Sequence, residues 1–331
     1  MSSMTDSLNN ETTAQELRLW KNMYRIRTVE EKIANKYIEG KMRCPTHLSI
    51  GQEAVPSAVS ENLKADDFAV STHRGHAHYL AKGGNLNAMI SELYGKETGC
   101  CGGRGGSMHL ADTSVGFMGT TAIVGNSIPL GVGLALSAQL KGSGQISCVY
   151  LGDGAIEEGA FYESVNFSVV RKLPVLFICE NNLYSVYSSL AIRQPSTRKI
   201  FKMVEAMGIS VDSCDGNDVV QSCLVAANAL SDIRKGNGPY FLEFSTYRWR
   251  EHCGPDFDNH LLYRSIEEVN YWMARDPVIR AEHLLLQKNP SLRIELEKYR
   301  DDVRCEIDQA FEFAESSPYP NALSVGVGVY A

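Results

Sequence analysis

Long apolar runs are missing from this chain. No stretch approaches the ~18–20 residues needed to span a bilayer, so no part of it is expected to cross a membrane. An excess of positive charge is missing too: Lys and Arg number 32 against 39 Asp and Glu, a net charge of −7. A nucleic-acid footprint of clustered basic residues is therefore not expected. Internal repeats and low-complexity segments are absent, which sets aside solenoids and arrays. The nine cysteines contain no Cys-x-x-Cys pair, and their odd number and scatter argue against a disulfide framework. Cys148 and Cys179 fall inside apolar, strand-like runs, so reduced and mostly buried thiols in a cytoplasmic protein are expected. The opening residues MSSMTDSLNNETTAQEL carry acids and no apolar centre. They are expected to be neither a signal nor a transit peptide, and residues 1–14 to be a polar tail.

What is present is a chain of 331 residues, 44% hydrophobic, long enough for a sizeable core. Leu17, Trp20, Tyr24, Val29, Ile33 and Tyr37 form an apolar stripe that predicts a helix over 13–39, stopped by Gly40. A helix is predicted over 52–62 and a strand over 68–71. The stretch 95–106 holds six glycines and no period, so it reads as a loop. Residues 127–140 read as a helix whose Gly131, Gly133, Ala135 and Ala138 admit close neighbours. From there strands at 146–151, 175–179, 209–212 and 240–246 alternate with helices at 155–170, 201–208 and 218–234. That order predicts an α/β fold, a parallel sheet flanked by helices. Residues 265–331 read as a mainly helical, more charged extension, and 15–331 as a single domain.

Gly152-Asp153-Gly154 closes the first of these middle strands. Strand, Gly-x-Gly and helix together resemble a phosphate-binding turn, in which free N–H groups at a helix start face the anion. The dinucleotide fingerprint fails, because the next glycine is Gly159, and no Gly-Lys-Ser/Thr follows for a P-loop. A carboxylate between the glycines would repel a phosphate unless a cation sat between them. Mg²⁺, which takes oxygen ligands from carboxylates and phosphates, resolves this. Right-handed crossover makes the 175–179 strand parallel to the first. If the two are neighbours, Asn181-Asn182 just past its end brings an amide oxygen to the same edge, where such sheets bind ligands.

Gly-Asp-Gly, 26 intervening residues and Asn-Asn resemble the thiamine-diphosphate signature. The segments HLSIGQEA (47–54), STHRGHAHYLAKG (71–83), GGRGGSMHL (102–110), AIVGNSIPLGVGLAL (122–136), KLPVLFICENNLY (172–184) and TYRW (246–249) are similar to the α subunit of the 2-oxo acid dehydrogenase first component, in its pyruvate and acetoin branches. The resemblance covers roughly residues 15–300. It implies the thiamine-diphosphate-binding fold of the diphosphate-binding type. It also implies that Asp153, Asn182 and the Tyr184 carbonyl bind Mg²⁺, and that His73, Arg74, Gly154, Ala155 and His252 serve the diphosphate. Ala122 and Val124 would meet the aminopyrimidine through backbone atoms. His252 and His76 would be catalytic.

The family's activating glutamate comes from a separate β subunit, so this chain is expected to hold half an active site and to assemble as an α2β2 heterotetramer. The implied reaction is oxidative transfer of an acyl group from a 2-oxo acid or acetoin to lipoamide on an acyltransferase. The chain also departs from the family. After TYRW it reads REHCGPDFDNH, about two residues short and without the regulatory serines, so kinase control of this loop is not expected. Pro45 replaces an aromatic residue of pyruvate-specific relatives, and His73 replaces a tyrosine. These differences keep open a two-chain carboligase or lyase that joins the activated fragment to an aldehyde or sugar.

The remaining candidates have plainer readings. A zinc site from His73, His76 and His78 is not expected, since no cysteine or carboxylate pair accompanies them at a familiar spacing. His78 reads as packing or surface. His47 reads as a channel-lining or hydrogen-bonded structural residue. Glu157 and Glu158 suit a helix start, and Cys100-Cys101 reads as two ordinary thiols.

Overall fold

The computed structural model describes residues 2–42, 44–324 and 326–327, with 2–11 described by their backbone alone. Among these residues eight strands form: β1 (Phe68–Ser71), β2 (Phe117–Thr120), β3 (Ser147–Gly152), β4 (Val175–Asn181), β5 (Tyr184–Ser185), β6 (Ser188–Ser189), β7 (Ser210–Asp215) and β8 (Tyr240–Ser245). Twelve α-helices accompany them: α1 (Ser2–Tyr37), α2 (Ala54–Ser60), α3 (His76–Ala81), α4 (Leu86–Leu93), α5 (Ser127–Lys141), α6 (Gly159–Arg171), α7 (Leu190–Arg193), α8 (Ile200–Glu205), α9 (Val219–Arg234), α10 (Ile266–Met273), α11 (Pro277–Lys288) and α12 (Arg293–Ser316).

Six strands make one sheet in the order β2-β1-β3-β4-β8-β7, and every pairing in it is parallel. Strands β3 and β4 are direct neighbours, with Gly152 opposite Glu180, as the crossover argument requires. Side chains alternate between faces along each strand. Val149, Leu151, Phe177, Cys179 and Phe241 pack with α5, α6 and α8. Cys148, Tyr150, Leu176, Ile178, Leu242 and Phe244 share the opposite core with α1, α4, α9 and α12. Among the described residues no helix is long and apolar enough to cross a membrane.

Several boundaries shift. Helix α1 continues ahead of the 13–39 span, through the segment expected to be a tail. Among the side chains described, its buried stripe is Leu19, Trp20, Met23 and Ile26 onward, and Gly40 at φ +69° stops the turn after it. The helix expected at 155–170 begins instead at Gly159, because 153–157 winds as a tighter 3₁₀ turn. Strand β2 and helices α3 and α4 fall in segments too short for a periodic signal. The helical extension packs chiefly on helices: α12 places Phe311 against Tyr94 just after α4, and Val278 and Leu285 of α11 bury with Trp20. Its caps are legible: Ser265 accepts the Glu268 N–H, and Asp276 caps α11 with Pro277 in its first turn.

Candidate functional site

A cleft of about 180 Å³ opens at the carboxyl ends of β1, β3 and β4. Its floor is the Gly-Asp-Gly turn. Asp153 is 1% exposed, and burial pushes its carboxyl up while the Arg193 guanidinium opposes that. Gly154 is pressed against the next loop: a Cβ there would stand 2.7 Å from Ser185 Oγ. The two asparagines at the end of β4 part company because successive side chains point opposite ways. Asn181 turns into the protein, donating to Glu243 Oε1 at 2.8 Å. Asn182 lines the cleft. Its amide is oriented by two partners, donating to Gln52 Oε1 at 3.4 Å and accepting the Tyr184 N–H at 3.2 Å. Tyr184 is anchored from behind, its hydroxyl donating to Glu268 Oε1 at 2.8 Å.

The facing wall is cationic and imidazole-rich. Arg74 is 6% exposed and donates to the carbonyls of Leu48 (2.5 Å) and His252 (3.1 Å). Among the described residues no carboxylate forms an ion pair with it. Burial, with Arg248 adding like charge, pulls its pKa down to about 9. His47, His73 and His252 cluster beside it, with ring centroids 4.6–5.3 Å apart. Their potential ligand atoms lie within 4.8 Å of one another. Burial first and then Arg74 hold all three neutral, at about 2, 4 and 3 respectively. A cation has little to gain beside Arg74, whereas an anion relieves the cost of that unpaired guanidinium.

His252 reaches this wall because its loop is pinned. Asp258, 2% exposed, accepts from Tyr263 Oη at 2.5 Å and from Arg264, and lies 3.7 Å from Arg248. Gly51, at φ +98°, lets Tyr247 and Trp249 close on the 47–52 segment: a Cβ would meet the Tyr247 carbonyl at 2.5 Å.

His73, Arg74, Ala122, Val124, Asp153, Gly154, Ala155, Asn182, Tyr184 and His252 all line the one cleft. His76 does not. It is fully buried, with Nδ1 2.7 Å from Glu30 and Nε2 2.8 Å from Ser107. Both ring nitrogens are occupied and the ring lies off the cleft lining, a placement that suits a structural role better than the expected catalytic one. His78 is buried rather than exposed, 2.8 Å from Ser71 Oγ and tilted against Tyr150 with ring centroids 3.9 Å apart. The three histidines of residues 73–78 thus go to three different places. His47 does line the cleft. Glu157 forms an ion pair with Arg193 rather than merely opening a helix. Gln52, Glu180, Ser185, Arg193 and Arg248 escaped the sequence reading, since each is placed by packing between distant segments. Glu92 carried no motif either, yet its buried carboxylate accepts from Cys101, Gly103, Gly105 and Gly106 and so shapes the glycine loop. Pro45 borders a neighbouring cavity of about 660 Å³ that shares Met108 with the cleft.

Residues 21–323 match the family described as dehydrogenase E1 component. The chain belongs to that family. Membership makes it a thiamine-diphosphate-dependent oxidoreductase of the E1 class, in which an α chain works with a β chain. The chain is 36% identical to the pyruvate dehydrogenase E1 component subunit alpha of Rickettsia bellii, over 95% of each chain. It is 37% identical to the subunit alpha of Porphyra purpurea, over 94% of this chain and 92% of the relative. It is 34% identical to the chloroplastic subunit alpha-3 of Arabidopsis thaliana, over 97% of this chain and 75% of the relative. These E1 relatives span both cleft walls, so the resemblance carried by the scattered segments holds along the chain.

Proposed function

We propose that this E1 chain binds thiamine diphosphate through Mg²⁺ and, with a β subunit in an α2β2 heterotetramer, moves an acyl group from a 2-oxo acid or acetoin to the lipoyl group of an acyltransferase. Pyruvate is the first substrate to test, because the relatives are named for it. One observation carries the reading. A buried carboxylate, Asp153, and a buried guanidinium without an acid, Arg74, line the same cleft. A carboxylate on one wall, oriented by Arg193, and an anion-seeking guanidinium on the other fit a metal diphosphate.

The donor set suits a hard ion: the Asp153 carboxylate, the Asn182 amide oxygen and the Tyr184 carbonyl are all oxygens. Asp153 and Asn182 supply their oxygens from the tips of adjacent strands. Arg74 supplies a fork matched to phosphate oxygens, and Gly154 and Ala155 supply N–H groups. Ala122 and Val124 border the cleft where the pyrimidine would lie. Thiamine diphosphate, when bound, supplies the carbanion and the electron sink. His252, held neutral in the bare chain, can accept a proton and regains basicity as an anion enters beside it. Val124 is 48% and Ile123 66% exposed, and the cleft is smaller than the ~300–1,000 Å³ of complete ligand pockets. A second chain would close it. With nine free cysteines among the described residues, the reducing cytoplasm is the proposed compartment.

The carboligase reading draws on Pro45, which contributes no aromatic ring to the larger cavity beside Met108. Co-expression with the cognate β chain tests both. The complex is expected to bind thiamine diphosphate in the presence of Mg²⁺, release carbon dioxide from a 2-oxo acid and acylate lipoamide. Asp153→Ala is expected to abolish the metal-dependent binding. Unchanged affinity removes the ligand assignment, and a product in which an aldehyde has been lengthened selects the carboligase.

A further inference from the structure

Arg193 belongs to none of the motifs, yet its guanidinium is the junction of the cleft floor. Nη2 pairs with Asp153 Oδ2. Nη1 donates to Glu157 Oε1 at 2.7 Å, and Nε donates to the Ser188 carbonyl at 3.2 Å. Two pieces of chain are thereby joined. One is the 153–157 turn; the other is the β5–β6 hairpin, which presents Tyr184, Ser185 and Val186 to the cleft. The hairpin is not conformationally relaxed. Leu183 sits at φ +72° and Val186 at φ +55°, the latter an outlier for a β-branched residue. Arg248 holds the other side, donating to the Val186 carbonyl at 2.8 Å. Arg193 is one-tenth exposed, so water does not replace these bonds.

We propose that Arg193 is a positioning residue, which locks the Asp153 carboxylate and the Tyr184-bearing hairpin in fixed relation and so sets the affinity of the cleft for its divalent cation. The inference rests on the metal reading above. The guanidinium bonds Oδ2 of Asp153 and so fixes the plane of the carboxylate, and the polyanionic diphosphate offsets the extra positive charge. An orienting partner of this kind is what ligating carboxylates commonly have.

The test uses the full chain with its β subunit and Mn²⁺ as probe, titrated by electron paramagnetic resonance at fixed thiamine diphosphate. Wild-type complex is expected to take up Mn²⁺; no uptake sinks the metal reading, and this inference with it. Arg193→Gln cannot bridge both carboxylates and is expected to weaken Mn²⁺ binding roughly 10- to 100-fold. Arg193→Lys can hold Asp153 alone and is expected to recover part of the loss. Unchanged affinity in Arg193→Gln overturns the proposal, and so does tighter binding, which would make the guanidinium a competitor of the metal. Should Arg193→Gln fail to fold, Arg193→Lys decides: affinity equal to wild type means that bridging is not needed.

Discussion

The two walls of the cleft solve opposite electrostatic problems. The strand-tip wall carries a buried acid, Asp153, already answered by Arg193. The facing wall carries a buried guanidinium, Arg74, answered among the described residues by backbone carbonyls and surrounded by imidazoles that its own charge helps keep neutral. One wall is preorganised within the chain. The other is left incomplete, and its completion is the ligand. The difference teaches where binding energy is stored: an unpaired buried charge destabilises the free protein and is relieved when the counter-ion arrives.

That contrast can be broken most directly at Arg74. Arg74→Met is expected to weaken thiamine-diphosphate binding roughly 10- to 100-fold, the worth of charge-assisted hydrogen bonds, while raising the melting temperature of the cofactor-free protein. Calorimetric titration and thermal melts read the two effects, and a melting temperature that falls would show that Arg74 is not under strain. His76→Leu sharpens the boundary of the wall. It is expected to cost about 1–3 kcal/mol of stability by stranding one oxygen of buried Glu30, measured by denaturant titration, with cofactor affinity kept. A lost affinity would return His76 to the site.

A further effect is one of pH. His47, His73 and His252 titrate in the fold at about 2, 4 and 3, below the ~6.5 of an unfolded histidine. Below that value the unfolded chain binds more protons than the folded one, so stability is full above about pH 6.5 and falls as the pH drops toward 4 and lower. Melting temperatures between pH 7.5 and 5 should decline in the wild type and less steeply in a His47→Asn, His73→Asn, His252→Asn triple variant. Parallel curves would mean that the three rings are not held neutral.

The legibility of the two walls also differed. The Asp153 side announces itself because its parts are local: a glycine-flanked acid at a strand end, and an asparagine pair one crossover later. Strand pairing turns that spacing into proximity, as Gly152 opposite Glu180 shows. The Arg74 side offered only scattered histidines, readable through resemblance. Resemblance misplaced His76, since a helix of six residues, α3, gives no periodic pattern to say which ring faces inward. Arg193 and Glu92 left no trace, because each meets partners on separate turns of chain.

The sequence by itself determined the alternation of strands and helices, the parallel sheet, and the edge at which Asp153 and Asn182 meet, because hydrophobic period and crossover handedness act over short stretches. Tertiary structure decided which histidines face the cleft, which of the two asparagines does, and that Arg74 is buried without an acid. Those facts depend on segments as distant as residues 48, 74 and 252 closing on one point, and no local pattern encodes which charge will be left unpaired when they do.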